Sequence, residues 1–135
     1  MAFSSCSSNA KTPENSNAIP AEQNQNAIQN GAKTIGSSET KILLDKQKDI
    51  VVLDVRTPEE YAAGHLKNAV LLNKYDPDFA AKLKAFDRNK TYLIYCAVGG
   101  RSGQTASMME SLGFKNIFDA TEGFEKLKNA GAPVE

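Results

Sequence analysis

The sequence has no tryptophan, a single histidine, only two cysteines and no excess of either charge: 16 Lys and Arg face 16 Asp and Glu across 135 residues. A neutral chain lacks the general basic field that a nucleic-acid backbone requires, and no polybasic segment supplies one locally, so nucleic acid is not an expected partner. No run of about 18 apolar residues is present, and no segment of the sequence reads as a transmembrane helix. Cysteines at positions 6 and 96 cannot build the disulfide framework that holds small secreted domains together. Cys96 needs another explanation.

Large apolar residues are also scarce at the start. The first 37 positions hold six Ser, six Asn and three Gln, but only Met1, Phe3, Ile19, Ile28 and Ile35 as large apolar side chains. Burying those at ~1.5 to 3 kcal/mol each cannot offset backbone ordering at ~1 to 2 kcal/mol per residue. Residues 1–31 are therefore expected to be a disordered polar tail and 32–135 a single domain. Within the tail, Phe3-Ser4-Ser5-Cys6 followed by Ser7-Ser8-Asn9 resembles the end of a bacterial lipoprotein signal, where small residues precede a cysteine that becomes lipidated. The apolar region of ~7 to 15 residues that such a signal requires is missing. Two accounts stay open. If Met1-Ala2 replaces a trimmed signal, Cys6 is a lipidation site and the protein belongs to the periplasm or cell envelope, with the tail as tether. Otherwise Cys6 sits by chance in a Ser-rich tail, and the protein is cytoplasmic.

From residue 33 strand and helix signals alternate. Lys33-Thr34-Ile35 is a short strand candidate, and Ser38 can cap a helix over Glu39 to Lys46 that turns Ile42, Leu43 and Leu44 inward. Ile50-Val51-Val52-Leu53 is the continuous apolar run of a buried parallel strand, ending at Asp54. Thr57-Pro58-Glu59-Glu60 reads as a capping box for a short helix that stops by Gly64. Ala69 to Leu72 is a third strand. A helix opened by Asp76-Pro77 follows, then a fourth strand over Thr91 to Tyr95 and a helix over Ser102 to Leu112 with Gly113 after its end. Asn116-Ile117-Phe118 and a last helix over Glu122 to Asn129 complete the order. This alternation predicts an α/β fold, a parallel sheet covered on both faces.

Ligands of such sheets bind beyond the carboxyl ends of the strands. The fourth strand delivers Cys96 to that edge, followed by Ala97-Val98-Gly99-Gly100-Arg101-Ser102. The paired glycines allow positive φ, so that the N–H groups from Ala97 to Ser102 can point inward as a cradle, and the next helix adds its N-terminal dipole. A thiol among those donors ionises more easily, because each favours the thiolate. Cys96 is the expected nucleophile. The bland account, a small core residue at a strand end, is the commoner role of free cysteine but leaves the Gly-Gly-Arg-Ser loop unexplained. Arg101 is the candidate for gripping an oxyanion with two parallel bonds, against the plainer account of an arginine paired with an acidic neighbour. Ser102 is expected to cap the helix. Asp54 and Arg56 lie near the same edge and are expected to form a supporting ion-pair network with Glu60; His65, in the same stretch, is expected to be structural.

Asp54-Val55-Arg56-Thr57-Pro58-Glu59-Glu60-Tyr61 with Gly64-His65-Leu66, the loop Cys96 to Gln104, and Glu122-Gly123-Phe124 through Val134 together resemble three signatures of the rhodanese family, in order. The resemblance implies a five-stranded parallel sheet of order 1-5-4-2-3 flanked by helices on both faces, and sulfur transfer through a cysteine persulfide. Cys96 would take the sulfane sulfur of thiosulfate or a persulfide donor and pass it to a thiol or cyanide acceptor, in two half-reactions. No cofactor or metal is needed for this. Two departures stand out: Thr121-Glu122-Gly123 keeps one glycine of a usual pair, with Leu127 near a usual tryptophan, and the loop begins with neutral residues where thiosulfate-preferring relatives often carry a basic one. The latter leaves a protein or low-molecular-weight persulfide as the alternative donor.

Other classes fit less well. A phosphatase or arsenate reductase loop places five residues between cysteine and arginine, whereas four separate Cys96 from Arg101. A non-catalytic rhodanese-like binding or regulatory module is the stronger rival, although such modules commonly lack the cysteine. A redox thiol protein would need a resolving cysteine beside Cys96, and Cys6 is on the tail.

Overall fold

The computed structural model describes residues 31–135; of the expected tail, residues 1–30 with Cys6 lie outside the described residues, and Gly31 belongs to the first strand instead. The elements in chain order are β1 (Gly31–Ile35), α1 (Ser37–Lys46), β2 (Val51–Asp54), α2 (Pro58–Ala63), β3 (Val70–Leu71), α3 (Phe79–Lys84), β4 (Thr91–Tyr95), α4 (Gly100–Ser111), β5 (Asn116–Ala120) and α5 (Phe124–Asn129). All five strands are parallel, in the order β1-β5-β4-β2-β3. The central β4, Thr-Tyr-Leu-Ile-Tyr, is buried from Tyr92 onward, as a strand covered on both faces must be. Because side chains alternate along a strand, β4 feeds two cores. Tyr92, Ile94 and Cys96 join Phe79, Leu83, Ala106 and Met109 of α3 and α4 on one face. Leu93 and Tyr95 join Leu43, Leu44, Tyr61, Phe124 and Leu127 of α1, α2 and α5 on the other.

Thr57 accepts from the Glu60 amide while Glu60 accepts from the Thr57 amide, with Pro58 in the first turn of α2, so the capping box forms as its sequence predicts. Several boundaries differ. α1 starts at Ser37 with Gly36 at its cap rather than Ser38, and Ile42 is exposed rather than inward. α3 starts at Phe79, because Asp76 is spent on a turn in which its carbonyl accepts from the Phe79 amide and its carboxylate meets Lys82. α4 begins two residues before Ser102, and β5 runs two residues past Phe118.

Candidate active site

The carboxyl ends of β2, β4 and β5 converge below one loop. Cys96 follows β4 directly and is fully buried. Its carbonyl accepts from the Phe124 amide at 2.9 Å, which fixes the residue's backbone. Its Sγ accepts the Gly99 N–H at 3.0 Å and the Ser102 N–H at 3.4 Å, distances that suit bonds to sulfur. Of the six amides from Ala97 to Ser102, these two reach the sulfur. The cradle is thus narrower than the glycine count suggests, because the loop turns into α4 at once. Gly99, with φ +99°, is the α4 cap, and its carbonyl already accepts from the Gly103 amide. The Ser102 amide is one of the first-turn N–H groups that no helical carbonyl satisfies, and it is aimed at the thiol. Gly100 has no left-handed conformation and open space where a side chain would go. Ala97 and Val98 bridge strand and turn, with Val98 82 % exposed.

The close approach that shapes the loop involves a residue whose part the sequence did not disclose. A Cβ on Gly99 would stand 2.2 Å from the Thr121 carbonyl oxygen, and one on Gly123, at φ +89°, would stand 2.0 Å from that of Ala97. The segment after β5 therefore presses against the loop backbone at two points, and both demand glycine.

Ser102 does not cap α4 with its hydroxyl. The Oγ donates to the Gly99 carbonyl at 3.0 Å, so Ser102 binds the loop through both its side chain and its amide. Arg101 is engaged as well. Its Nη1 and Nη2 donate to Oε2 and Oε1 of Glu60 at 2.9 and 3.1 Å, both side chains being partly buried. Arg101 holds the Glu60 carboxyl down to about 2, with the Thr57 bonds adding to the effect and burial opposing it. The guanidinium fork expected to grip a donor's oxyanion is closed on a carboxylate.

That pairing also corrects the network expected of Asp54, Arg56 and Glu60. The Arg56 guanidinium gives three bonds to the Asp54 carboxylate, at 2.7 to 3.1 Å, and one to the Gly64 carbonyl at 2.6 Å, the Arg56 amide adds a fourth to Asp54 at 3.0 Å, and the guanidinium lies 4.3 Å from the Phe124 ring centre. Tyr95 completes this group: its hydroxyl donates to Asp54 at 2.7 Å and accepts from the Leu66 amide at 3.0 Å. These residues tie β2, β4 and the segment after α2 together below the site; Glu60 belongs to Arg101 instead. His65 stacks flat on Tyr61 at 3.7 Å and meets the Tyr61 carbonyl through Nδ1, a structural role as expected.

Asp119 is a buried carboxyl that is not among the candidate residues read from the sequence. It is 3 % exposed, and its Oδ1 has no hydrogen-bond partner. The signal was the alternation of β5, which puts Asp119 on the same buried face as Ile117 once the strand is carried past Phe118. Among the described residues no group of three His, Cys, Asp or Glu side chains could hold a metal ion, and no helix is long and apolar enough to cross a membrane.

A cysteine at the end of a central parallel strand, its sulfur held by turn and helix amides, defines an α/β protein built around a thiol in a loop of inward N–H groups. Residues 38–130 match the family model of the rhodanese-like domain, and the chain belongs to that family. It is similar to the thiosulfate sulfurtransferase GlpE of Coxiella burnetii, 35 % identical over 63 % of this chain and 78 % of the relative. The protein of that name from Pseudoalteromonas translucida is 33 % identical over 68 % and 85 %. Among solved structures, a rhodanese-like domain protein from Staphylococcus aureus is 30 % identical with a TM-score of 0.65, over 76 % of this chain and 98 % of the other.

Proposed function

We propose that the protein is a sulfurtransferase that carries sulfur on Cys96. The observation behind this is the pair of N–H groups, from Gly99 and Ser102, aimed at a sulfur that ends a central strand. The Cys96 thiolate attacks the outer sulfur of a donor, the donor's S–S bond breaks, and the leaving group departs with that bond's electron pair: sulfite from thiosulfate, a thiolate from a persulfide. An acceptor thiolate, or cyanide, then attacks the outer sulfur of Cys96–S–S⁻ and restores the Cys96 thiolate. The cradle serves both steps, since fixed donors stabilise anionic sulfur without reorganising. Burial of Cys96 suits a carrier. A persulfide extends the reactive atom outward by about 2 Å, toward acceptors, and the Gly100 and Arg101 amides of the first helical turn remain for it.

The relatives named for thiosulfate support that donor. The engagement of Arg101 by Glu60 and the neutral start of the loop favour a persulfide, protein-borne or small, as the better one. Incubation with each donor followed by intact-mass measurement tests the proposal. One added sulfur, lost on treatment with cyanide and absent in Cys96→Ser, is the expected result; no added sulfur from any donor would favour a binding or regulatory module.

The Ser-rich flank of Cys6 supports extending the proposal to a lipid anchor and a cell-envelope location. Fatty-acid labelling of the protein expressed from its native gene, lost in Cys6→Ser, is expected; an unlabelled Cys6 would defeat the lipid anchor.

A further inference from the structure

Thr121, Glu122 and Gly123 join β5 to α5 and form the wall against which the Cys96 loop is folded. The Thr121 carbonyl stands where a Cβ on Gly99 would have to go, and Gly123 leaves no room for a Cβ against the Ala97 carbonyl. The next amide, that of Phe124, donates to the Cys96 carbonyl at 2.9 Å. The wall therefore touches Cys96, Ala97 and Gly99, and Gly99 supplies one of the two N–H groups on the sulfur. Backbones packed this closely transmit a displacement rather than absorb it, so the position of the wall sets the position of the Gly99 amide.

Between these contacts the Glu122 side chain reaches α1. Its Oε1 accepts the Ser37 amide at 3.0 Å and the Ser37 hydroxyl as well, and its Oε2 would lie 3.5 Å from a Cβ on Gly36. Ser37 is the first residue of α1, and Gly36 is the cap. Glycine has no side chain with which to cap a helix, so the unsatisfied first-turn N–H of Ser37 is met by a carboxylate 85 positions away. Both partners gain: the helix end favours the negative charge, and the Ser37 bonds hold the Glu122 carboxyl below its ordinary range. α1 is fixed independently of this contact, because Leu43 and Leu44 pack into the core of Leu93, Phe124 and Leu127. Glu122 itself is exposed and gives no bond to the sulfur.

We propose that Glu122 is a positioning residue for Cys96: by bonding Ser37 it hangs residues 121–123 on α1, holds them against the loop and so keeps the Gly99 amide on the sulfur. It acts through backbone contacts alone and touches neither donor nor acceptor. What the position means for catalysis rests on the sulfurtransferase proposal; the positioning itself does not.

The test is amide hydrogen exchange, followed by NMR on the full chain without sulfur and read at Gly99 relative to Leu93 in the middle of β4. In Glu122→Ala the Gly99 to Leu93 ratio should rise about tenfold, the loss of one charge-assisted hydrogen bond. In Glu122→Gln the amide oxygen can still accept from Ser37, and the ratio should stay within about twofold of wild type. A merely destabilised fold would speed both amides together and leave the ratio unchanged. Adding Ser37→Ala to Glu122→Ala should change it less than about twofold further, since the partner is already gone. With a donor present, loading followed by mass should slow about tenfold in Glu122→Ala at saturating donor, with KM within about twofold, because the misplaced group holds the sulfur and not the donor. An unchanged ratio in Glu122→Ala, or an equal rise in Glu122→Gln, would overturn the proposal. Should Glu122→Ala fail to fold, Ser37→Ala decides, since it removes the hydroxyl bond and keeps the amide: a rise in the ratio of about threefold supports the proposal and an unchanged ratio defeats it. Exchange is read without sulfur, so a protein that shows the expected ratios but takes no sulfur upholds this inference and defeats the sulfurtransferase proposal.

Discussion

Arg101 and Glu60, 41 positions apart, are joined by two parallel N–H···O bonds of 2.9 and 3.1 Å. The pair sets a neutralised rather than a free cation beside the loop, and it links the first turn of α4 to the capping box of α2. A donor that needs the guanidinium must displace a carboxylate; a donor recognised by its sulfur alone need not.

Glu60→Gln separates those two kinds of donor. The amide oxygen can still accept the Thr57 N–H and keep the α2 cap, but the charge that holds Arg101 is gone. A charge-assisted hydrogen bond is worth roughly 1.5 kcal/mol, about tenfold in binding. The KM for thiosulfate is expected to fall by up to about tenfold, while turnover with a neutral alkyl persulfide changes less than about twofold. Steady-state kinetics with both donors checks this, and an unchanged thiosulfate KM would mean that the guanidinium takes no part in donor binding.

The same pair predicts an acid-side loss of stability. Glu60 titrates at about 2 in the fold against an ordinary value of 4.5, so the folded carboxyl binds its proton less readily than the unfolded one. Its stabilisation is complete above the unfolded value and is lost as pH falls through the folded one. Solvent screening of this partly exposed pair holds its worth to about 1 kcal/mol. Urea unfolding of wild type and Glu60→Gln should therefore differ by a constant amount above about pH 5.5 and converge as pH approaches 2.

What was legible in the sequence was local. The run Thr91 to Tyr95 defines β4 residue for residue through its continuous β-branched and aromatic composition, and Thr57-Pro58-Glu59-Glu60 defines its own helix start, because the capping bonds span three residues. The placement of Cys96 at the strand end follows from the same local pattern. Arg101–Glu60 and the contact of Gly123 with the Ala97 carbonyl were not legible, since each joins segments brought together only by the sheet order. The start of α4 was misplaced because two glycines depress helix propensity, while the fold uses Gly99 as a left-handed cap and Gly100 as the first helical residue. Asp119 was lost by ending β5 early, where two more residues of alternation would have put a carboxylate on a buried face.

The three loop-side glycines should respond differently to alanine. At Gly99 and Gly123 the backbone is left-handed or near it, and a Cβ would overlap a carbonyl oxygen at 2.2 and 2.0 Å. Either substitution should destabilise the fold by about 2 kcal/mol or more and abolish sulfur loading in the fraction that stays folded, because the loop must retreat from the segment after β5. Gly100→Ala meets nothing within 4 Å and should be neutral or stabilising by up to about 1 kcal/mol. Denaturation midpoints and loading measured by mass on the same samples distinguish the three.

The Asp54–Arg56 pair should matter for folding and not for chemistry. Asp54 is fully buried and takes bonds from Arg56 and Tyr95. Arg56→Ala removes the cation and leaves that carboxylate uncompensated, a loss of about 3 to 5 kcal/mol. Tyr95→Phe removes one donor from Asp54 and one acceptor from the Leu66 amide, at about 1 to 3 kcal/mol. The two residues share one carboxylate, so the losses in the double variant should fall short of their sum. Sulfur loading per folded molecule, measured at a temperature where each variant is folded, is expected to match wild type. A variant that folds fully yet loads no sulfur would place Asp54 and Arg56 in the chemistry instead of beneath it.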